Sequence, residues 1–423
     1  MDYSLIALTV FVLAYVLFVV FATRRTLIAV VGSLFLVICG VLTPQQAFGA
    51  VNWNVMGIFV GTLAVADIFM KSRVPAFLAE RIVAGCRTTA GALLAVCAMT
   101  SFISAFVENV ATVLIVAPLA LAMAKKMKIS PVPIMIAIAV SSNLQGTATL
   151  IGDPPSMLLG GFAKMTFFDF FVYHGRPGIF FAVQIGALAS FFVLRSVFRG
   201  MPAKQSFEMV EKVESWGPTF ILVSLILLLA ATSFFDTGFS CMAGILCMVF
   251  GFISLLWEKF VFKGKIRAQL KGLDWDTTFF LMGVFILVGA VTQTGWIERA
   301  ADFLAGMVGT NLFLGYTVLV FLAMLLSAFV DNVPFLAAML PVAMSMAVKL
   351  GIDPSLFLFG LLIGASLGGN ITPIGASANI VACGLLKKEG YTVGFKEFGR
   401  IGVPFTLAAV AAAYIFVWII WSR

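Results

Sequence analysis

Charged residues and histidine are scarce in this 423-residue sequence. Only 11% of the residues are charged, and His174 is the single histidine. Six cysteines are scattered, mostly inside apolar stretches, and neither a CxxC nor a Cys/His spacing occurs. These absences argue against a zinc or other metal site and against a disulfide framework. No GxxxxGK[ST] sequence is present, so any use of ATP would require a separate ATPase subunit.

Apolar residues dominate instead. They make up 62% of the sequence, and the mean hydropathy is +1.11. A soluble domain exposes a larger polar fraction than this composition provides. Apolar runs of about 20 residues, enough to cross a bilayer, recur along the chain. We therefore predict an all-α, multi-pass protein of the cell membrane (inner or plasma), embedded in the lipid bilayer, with spans near 4–22, 27–43, 54–70, 89–124, 132–163, 178–196, 217–234, 239–257, 276–293, 312–348, 355–386 and 401–421.

The formal charge of +8 indicates topology rather than a nucleic-acid partner. Basic residues lie in short loops between the apolar runs, which is the positive-inside pattern. By that rule Arg24 and Arg25 place the first loop in the cytoplasm, together with loops 197–216 and 258–274.

Two apolar segments are too long for one simple crossing. Segment 89–124 would extend about 50 Å as a helix, against a hydrocarbon core of about 30 Å. Polar residues interrupt it at Glu108-Asn109, and 312–348 has a matching break at Asp331-Asn332. Lysines and arginines flank both ends of 89–124, which favours a re-entrant hairpin with Glu108 at its tip.

The chain contains an internal repeat. Ser104 to Val110 recurs 223 positions later as Ser327 to Val333, with six of seven residues identical and Glu replaced by Asp. Trp53 and Gly61 match Trp275 and Gly283 at an offset of 222. By the positive-inside rule the two copies enter the membrane from opposite faces, which predicts inverted-topology repeats, as in many secondary transporters.

We predict a first repeat over 1–200, a cytoplasmic linker over 201–216 and a second repeat over 217–423. In the first, the hairpin is 89–124 and a broken helix is 132–163; in the second, the hairpin is 312–348 and the broken helix is 355–386. The breaks follow from Gly, Thr, Asn and Pro in the middle of 143–156 and 368–379. Such residues do not sustain a continuous helix, and unwound backbone at membrane depth lines polar cavities.

These elements predict one binding site built from four pieces. Its neutral ligands are eight side chains, although each could simply satisfy a helix break or pack helices: Asn109, Thr147, Thr149, Asn332, Asn370, Thr372, Ser377 and Asn379. Intramembrane acids usually mark ion pathways, and four are candidates for proton or ion coupling: Glu108, Asp153, Asp331 and Asp67. Asp153 could instead cap a helix, and Asp67 could pair with a neighbour.

At these motifs the sequence resembles the ion transporter superfamily, in its branch of arsenite permeases, NhaD-type sodium–proton antiporters and melanosomal P proteins. The resemblance lies in Val107-Glu108-Asn109-Val110-Ala111-Thr112, Gly146 to Pro155, Val330 to Phe335 and Gly368 to Asn379. It implies a homodimeric elevator-type transporter. Glu108 and Ala111 depart from the Asp and Thr that are commoner in the family.

The leading hypothesis is proton-coupled efflux of arsenite or antimonite, since no Lys or Arg lies in the four site elements and arsenite is neutral at pH 7. Na⁺/H⁺ antiport and carboxylate or other anion symport are the alternatives. We expect no enzymatic activity, no catalytic residue and no cofactor beyond a coupling H⁺ or Na⁺. An intramembrane aspartyl protease would need Gly where Leu150 stands in Leu150-Ile151-Gly152-Asp153. A passive channel is the other less favoured class.

Overall fold

The protein folds into helices joined by short connections. The computed structural model describes residues 2–201, 211–236, 238–309 and 311–422. Within these ranges there are twenty α-helices and one small antiparallel ribbon, β1 (Val172–Tyr173) and β2 (Arg176–Pro177). The predicted all-α class is therefore confirmed. Most of the linker predicted over 201–216 lies outside the described residues.

Ten helices precede that linker. They are α1 Tyr3–Val20, α2 Arg25–Ile38, α3 Pro44–Ala50, α4 Trp53–Lys71, α5 Val74–Gly85, α6 Thr89–Ser104, α7 Asn109–Met127, α8 Val132–Gly146, α9 Pro154–Ala163 and α10 Ile179–Val197. Ten more follow it: α11 Gly217–Thr232, α12 Met242–Phe260, α13 Ile266–Gly272, α14 Trp275–Gln293, α15 Trp296–Val308, α16 Leu312–Ser327, α17 Asn332–Leu350, α18 Ser355–Gly368, α19 Ser377–Lys388 and α20 Phe395–Trp421.

Eight of the described helices are long and apolar enough to cross a membrane: α1, α4, α7, α10, α12, α14, α17 and α20. Six shorter apolar helices accompany them. Large apolar side chains on α1, α2, α11, α12 and α16 are exposed on the surface of the protein. In a bilayer that surface faces hydrocarbon, which is the environment that such side chains prefer.

The long apolar segments are interrupted at polar residues. In segment 89–124, α6 ends at Ser104 and α7 begins at Asn109, with the Glu108 carboxylate accepting from the Ala111 N–H at 3.0 Å. Asp331 caps α17 in the same manner, accepting from the Val333 N–H at 3.0 Å. Such carboxylate caps satisfy helix donors that would otherwise have no partner. That each pair forms a re-entrant hairpin stays a prediction.

Helix boundaries recur at the spacing of the sequence repeat. α6 and α16 are both 16 residues long and start 223 positions apart, and α7 and α17 are both 19 residues long at the same offset. α3 and α13 match at an offset of 222, as do α4 and α14. The sequence repeat is therefore also a repeat of helices.

The two halves interlock through small residues. α2 packs against α14 of the second half, while α12 packs against α4 of the first half. A Cβ on Gly61 would lie only 2.3 Å from the Cys247 carbonyl carbon, and one on Gly283 would lie 2.7 Å from the Ala29 Cβ. Glycine at these crossings lets the helix backbones approach, as small residues do at other helix interfaces in membranes.

Candidate functional site

A small cavity lies where the ends of several helices meet. Its volume is about 40 Å³, which is room for a few water molecules or a small ion. The α6–α7 and α16–α17 connections border it, as do the starts of α9 and α19 and the N-terminal ends of α2 and α14. We call it the central pocket; its polar lining residues are Arg25, Glu108, Asn109, Asn143, Asp274, Thr277, Asp331, Asn332 and Ser377.

Five of the twelve predicted site residues therefore meet at this pocket. They are Glu108, Asn109, Asp331, Asn332 and Ser377. Both carboxylates cap the helix that follows them and still face the cavity. The two repeats thus contribute an equivalent acid–amide pair to one space.

The threonines lie behind this pocket and hold the connections in place. The Thr149 hydroxyl donates to the Ala105 carbonyl, and the Thr372 hydroxyl donates to the Ala328 carbonyl 223 positions later. Thr147 donates within its own turn, to the Asn143 carbonyl at 3.2 Å. The described contacts of these hydroxyls support the backbone around the pocket.

An amide cross-link joins the broken helices of the two halves. The Asn143 Nδ2 donates to Asn370 Oδ1 at 2.8 Å and to Asn379 Oδ1 at 2.9 Å. The Asn379 Nδ2 in turn donates to the carbonyls of Gly369 and Thr372, both at 2.9 Å. All three amides are buried. Asn370 and Asn379 are therefore engaged in linking α8 to the start of α19.

Asp153 is the most buried of the candidate acids, with 1% of its surface exposed. Its Oδ1 caps α9, accepting from the Ser156 N–H at 2.9 Å and the Ser156 hydroxyl at 2.7 Å. Its Oδ2 finds no hydrogen-bond partner among the described residues. The side chains of Asn109 and Thr147 are its polar neighbours. Asp153 therefore does act as a cap, yet half of its carboxylate remains unsatisfied.

Asp67 is placed apart from this pocket. Its carboxylate accepts from Lys71 Nζ at 2.9 Å, one helical turn along α4, and the same ammonium lies 3.1 Å from Glu258. Asp67 thus pairs with a neighbouring residue, which was the alternative to ion coupling given for it in the sequence analysis.

Four polar pocket residues were missed by sequence reasoning: Arg25, Asn143, Asp274 and Thr277. Arg25 is the first residue of α2, and its guanidinium donates to the Asp331 carboxylate. Asp274 caps α14, accepting from the Thr277 N–H at 2.9 Å and its hydroxyl at 2.6 Å. Asn143 begins the polar run 143–156, so its place in that motif was the available signal. In the sequence, Arg25 and Asp274 are loop residues beside an apolar run, and nothing local marks them as part of a site.

The pocket is rich in oxygen ligands and carries an excess of negative charge. Three carboxylates, from Glu108, Asp274 and Asp331, face one guanidinium. Carboxylate and amide oxygens suit hard cations, and a cavity with an excess of acids attracts them. The sequence predicted a substrate site without a cation. Arg25 contradicts that prediction for this pocket, although the two hairpin segments and the two broken-helix segments contain no Lys or Arg.

The sequence matches a known transporter family over nearly its whole length. Residues 15–348 and 261–423 match the CitMHS family, described as citrate transporter. An uncharacterized transporter of Mycobacterium tuberculosis is 28% identical over 431 residues, covering 98% of each chain. The P protein of Homo sapiens is 24% identical over 489 residues, covering 95% of this chain and 58% of that protein. P proteins are one of the branches that the sequence resembles.

Two solved structures have a similar fold. The YdaH transporter of Alcanivorax borkumensis has a TM-score of 0.62 and 14% identity, covering 99% of this chain and 98% of its own. MtrF of Neisseria gonorrhoeae, which represents a class of antimetabolite efflux pumps, has a TM-score of 0.56 and 15% identity, covering 92% and 85%. At these identities the likeness concerns the fold.

Proposed function

We propose a function from one premise, that this chain belongs to the CitMHS citrate transporter family. It is a multi-pass membrane protein and a secondary transporter, not an enzyme. We propose that it couples the movement of a small solute to H⁺ or Na⁺. Glu108, Asp153 and Asp331 handle the coupling ion, while Asn109, Asn332 and Ser377 supply neutral ligands.

The observation that carries this proposal is the unsatisfied oxygen of Asp153. A buried ionised carboxylate oxygen without a donor is costly, and the cost is greater at membrane depth. Binding a proton or a sodium ion at Asp153 Oδ2 removes that cost, with Asn109 and Thr147 beside it as further ligands. The buried acid is present in one half only, because Ala376 stands 223 positions after Asp153. This asymmetry distinguishes Asp153 from Glu108 and Asp331, the acids that the two halves contribute at equivalent positions.

For the solute, we propose arsenite or antimonite moved by proton antiport. A pocket of about 40 Å³ accommodates a small neutral oxyacid more readily than a large polyanion. A carboxylate carried by symport is the second candidate, favoured by Arg25 in the pocket and by the family description. Citrate is too large for the pocket in this conformation, so its binding requires the pocket to open. Na⁺/H⁺ antiport is a third candidate, supported by the three pocket carboxylates.

The proposed architecture is a pair of inverted repeats that move as an elevator within a homodimer in the cell membrane. The recurrence of helix bounds at offsets of 222 and 223 supports the repeat. The distribution of cations supports opposite orientations of the halves. Trp275, at the start of α14, follows a loop rich in lysine on the same side as Arg24 and Arg25, whereas its equivalent Trp53 follows a stretch without cations. In this proposal ion gradients drive transport, so the transporter does not require a separate ATPase subunit.

The test is solute-driven proton movement in proteoliposomes loaded with a pH dye. Arsenite, antimonite, Na⁺, Li⁺ and citrate are added in turn after a pH gradient is imposed. We expect arsenite or antimonite to move protons, Asp153→Asn to abolish that signal and Asp67→Asn to retain it.

Each other outcome is informative. A response to Na⁺ or Li⁺ alone identifies an alkali-cation exchanger, and a response to citrate alone identifies carboxylate transport. Silence with all five solutes refutes these substrate assignments. Full proton coupling in Asp153→Asn refutes the role given to Asp153.

A further inference from the structure

An ion pair across the central pocket links the two halves. Arg25, at the start of α2, donates to the Asp331 carboxylate, which also caps α17. The side chains of Arg25 and Asp331 are only 19% and 23% exposed. The guanidinium centre lies 4.9 Å from the Phe280 ring centroid, and its second amino nitrogen lies 3.5 Å from the Thr277 hydroxyl. An Arg held on three sides in this way is a built part of the pocket, not a loosely placed surface side chain.

The first half lacks this cation at the equivalent position. α2 and α12 end 222 positions apart, at Ile38 and Phe260, and the helices that follow them, α3 and α13, begin at the same offset, so α2 and α12 correspond at an offset of 222. That offset places Cys247 where α2 has Arg25. Glu108 corresponds to Asp331 and makes no ion pair in the described ranges. One tip acid is thus neutralised by the protein itself, and the other is not.

We propose that Arg25 is a tethered cation that occupies Asp331, and that the coupling ion must displace its guanidinium to bind there. This inference rests on the proposed cation coupling and assigns Arg25 as the residue that sets the cation concentration at which coupling begins. The reason is competition, because one carboxylate cannot neutralise a guanidinium and a free cation at once. Each cation therefore weakens the binding of the other, and linkage makes that effect reciprocal.

The pocket offers the displaced guanidinium a second carboxylate. Thr277 accepts from Arg25 and donates to the Asp274 carboxylate at 2.6 Å, so a single side chain separates Arg25 from Asp274. The charged groups that line the space are Arg25 and the acids Glu108, Asp274 and Asp331. Arg25 can turn from Asp331 to Asp274 without leaving a charge unpaired. Binding of the coupling ion at Asp331 would then loosen the bridge between α2 and α17.

The experiment compares Arg25→Gln and Arg25→Lys with the wild type by two measurements. The first is the thermal stability of the purified full chain in detergent while Na⁺ (balanced by choline) and H⁺ are titrated separately. The second is the cation concentration that gives half-maximal transport in proteoliposomes. We expect Arg25→Gln to lower the half-effective cation concentration by about fivefold or more, a typical size for coupled sites. Arg25→Lys should lie between Arg25→Gln and the wild type.

Two controls isolate the ion pair. Arg73→Gln removes a cation whose partners, Glu211 and Glu214, lie outside the pocket, and it should leave the titrations unchanged. Combining Arg25→Gln with Asp331→Asn should abolish the shift that Arg25→Gln produces alone.

Two results would overturn the proposal: unchanged half-effective concentrations in Arg25→Gln, or a shift that persists without the Asp331 charge. If the wild type transports none of the solutes tested, the proposed function fails while the stability titrations still decide the role of Arg25. If Arg25→Gln does not fold, Arg25→Lys must show the shift, and its absence there overturns the proposal.

Discussion

Removing the Asn143 amide should destabilise the protein by stranding two buried oxygens. In Asn143→Ala, the Oδ1 atoms of Asn370 and Asn379 each lose a donor that lies within 2.9 Å. Interhelical hydrogen bonds in membranes average about 0.6 kcal/mol, so two of them set a lower bound of about 1 kcal/mol. A stranded buried polar group costs about 1–3 kcal/mol, which sets an upper bound of about 6. We expect a loss of about 2–4 kcal/mol, between these bounds.

The assay is the free energy of unfolding, measured by titrating SDS into protein in mixed micelles. Ser254→Ala is the matched control, because the buried Ser254 hydroxyl donates along its own helix, to the Phe250 carbonyl at 2.9 Å. The two halves should also separate more readily in Asn143→Ala, since the cross-link joins α8 to α19 and to the turn that precedes it. A loss in Asn143→Ala no greater than in Ser254→Ala would show that the cross-link does not stabilise the assembly of the halves.

Two further predictions concern packing and pH. Gly61→Ala should lower the melting temperature far more than Gly49→Ala, because a Cβ on Gly61 would strike the backbone of α12 while one on Gly49 meets none of the described residues within 4 Å; equal shifts would contradict the close crossing. Burial works to raise the pKa of Asp353, but hydrogen bonds from Ser355 and the contact with His174 together hold it below its ordinary 3.8. A lowered folded-state pKa stabilises the protein above pH 3.8 and the effect fades as the pH falls below it. Asp353→Asn should therefore have a lower melting temperature than the wild type at neutral pH and the same melting temperature well below pH 3.8. A difference in melting temperature that does not change with pH would refute this.

The sequence predicted the parts of the site that depend on local chemistry. Polar residues in the middle of apolar runs have few explanations, so Glu108 and Asp331 could be assigned to breaks between helices before their surroundings were known. Prolines at the start of α9 and the capping carboxylate of Asp153 likewise follow from backbone rules. The twofold repetition of each motif made these assignments more secure.

Contacts between the halves could not be predicted in this way. Arg25 and Asp331 are separated by 306 positions, and Asn143 and Asn370 by 227. Nothing in the residues around Arg25 distinguishes it from Arg24, which follows the same apolar run. Only the packing of α2 on α14 brings the Arg25 guanidinium into the pocket. Apolar runs also do not predict the shorter helices α5 and α15, because neither is long enough to cross a bilayer.

The crossed packing of α2 on α14 and of α12 on α4 has a consequence for biosynthesis. When the ribosome has made only the first half, α2 and α4 lack their largest packing partners, α14 and α12, and their small-residue faces contact lipid. The packing of α2 and α4 is therefore completed only after α12 and α14 have been inserted into the bilayer. Late assembly therefore exposes the nascent protein to quality-control proteases, and premature termination would leave a fragment that cannot bury Gly61. Two separately expressed halves, by the same logic, should be degraded alone and recovered as a complex when made in one cell.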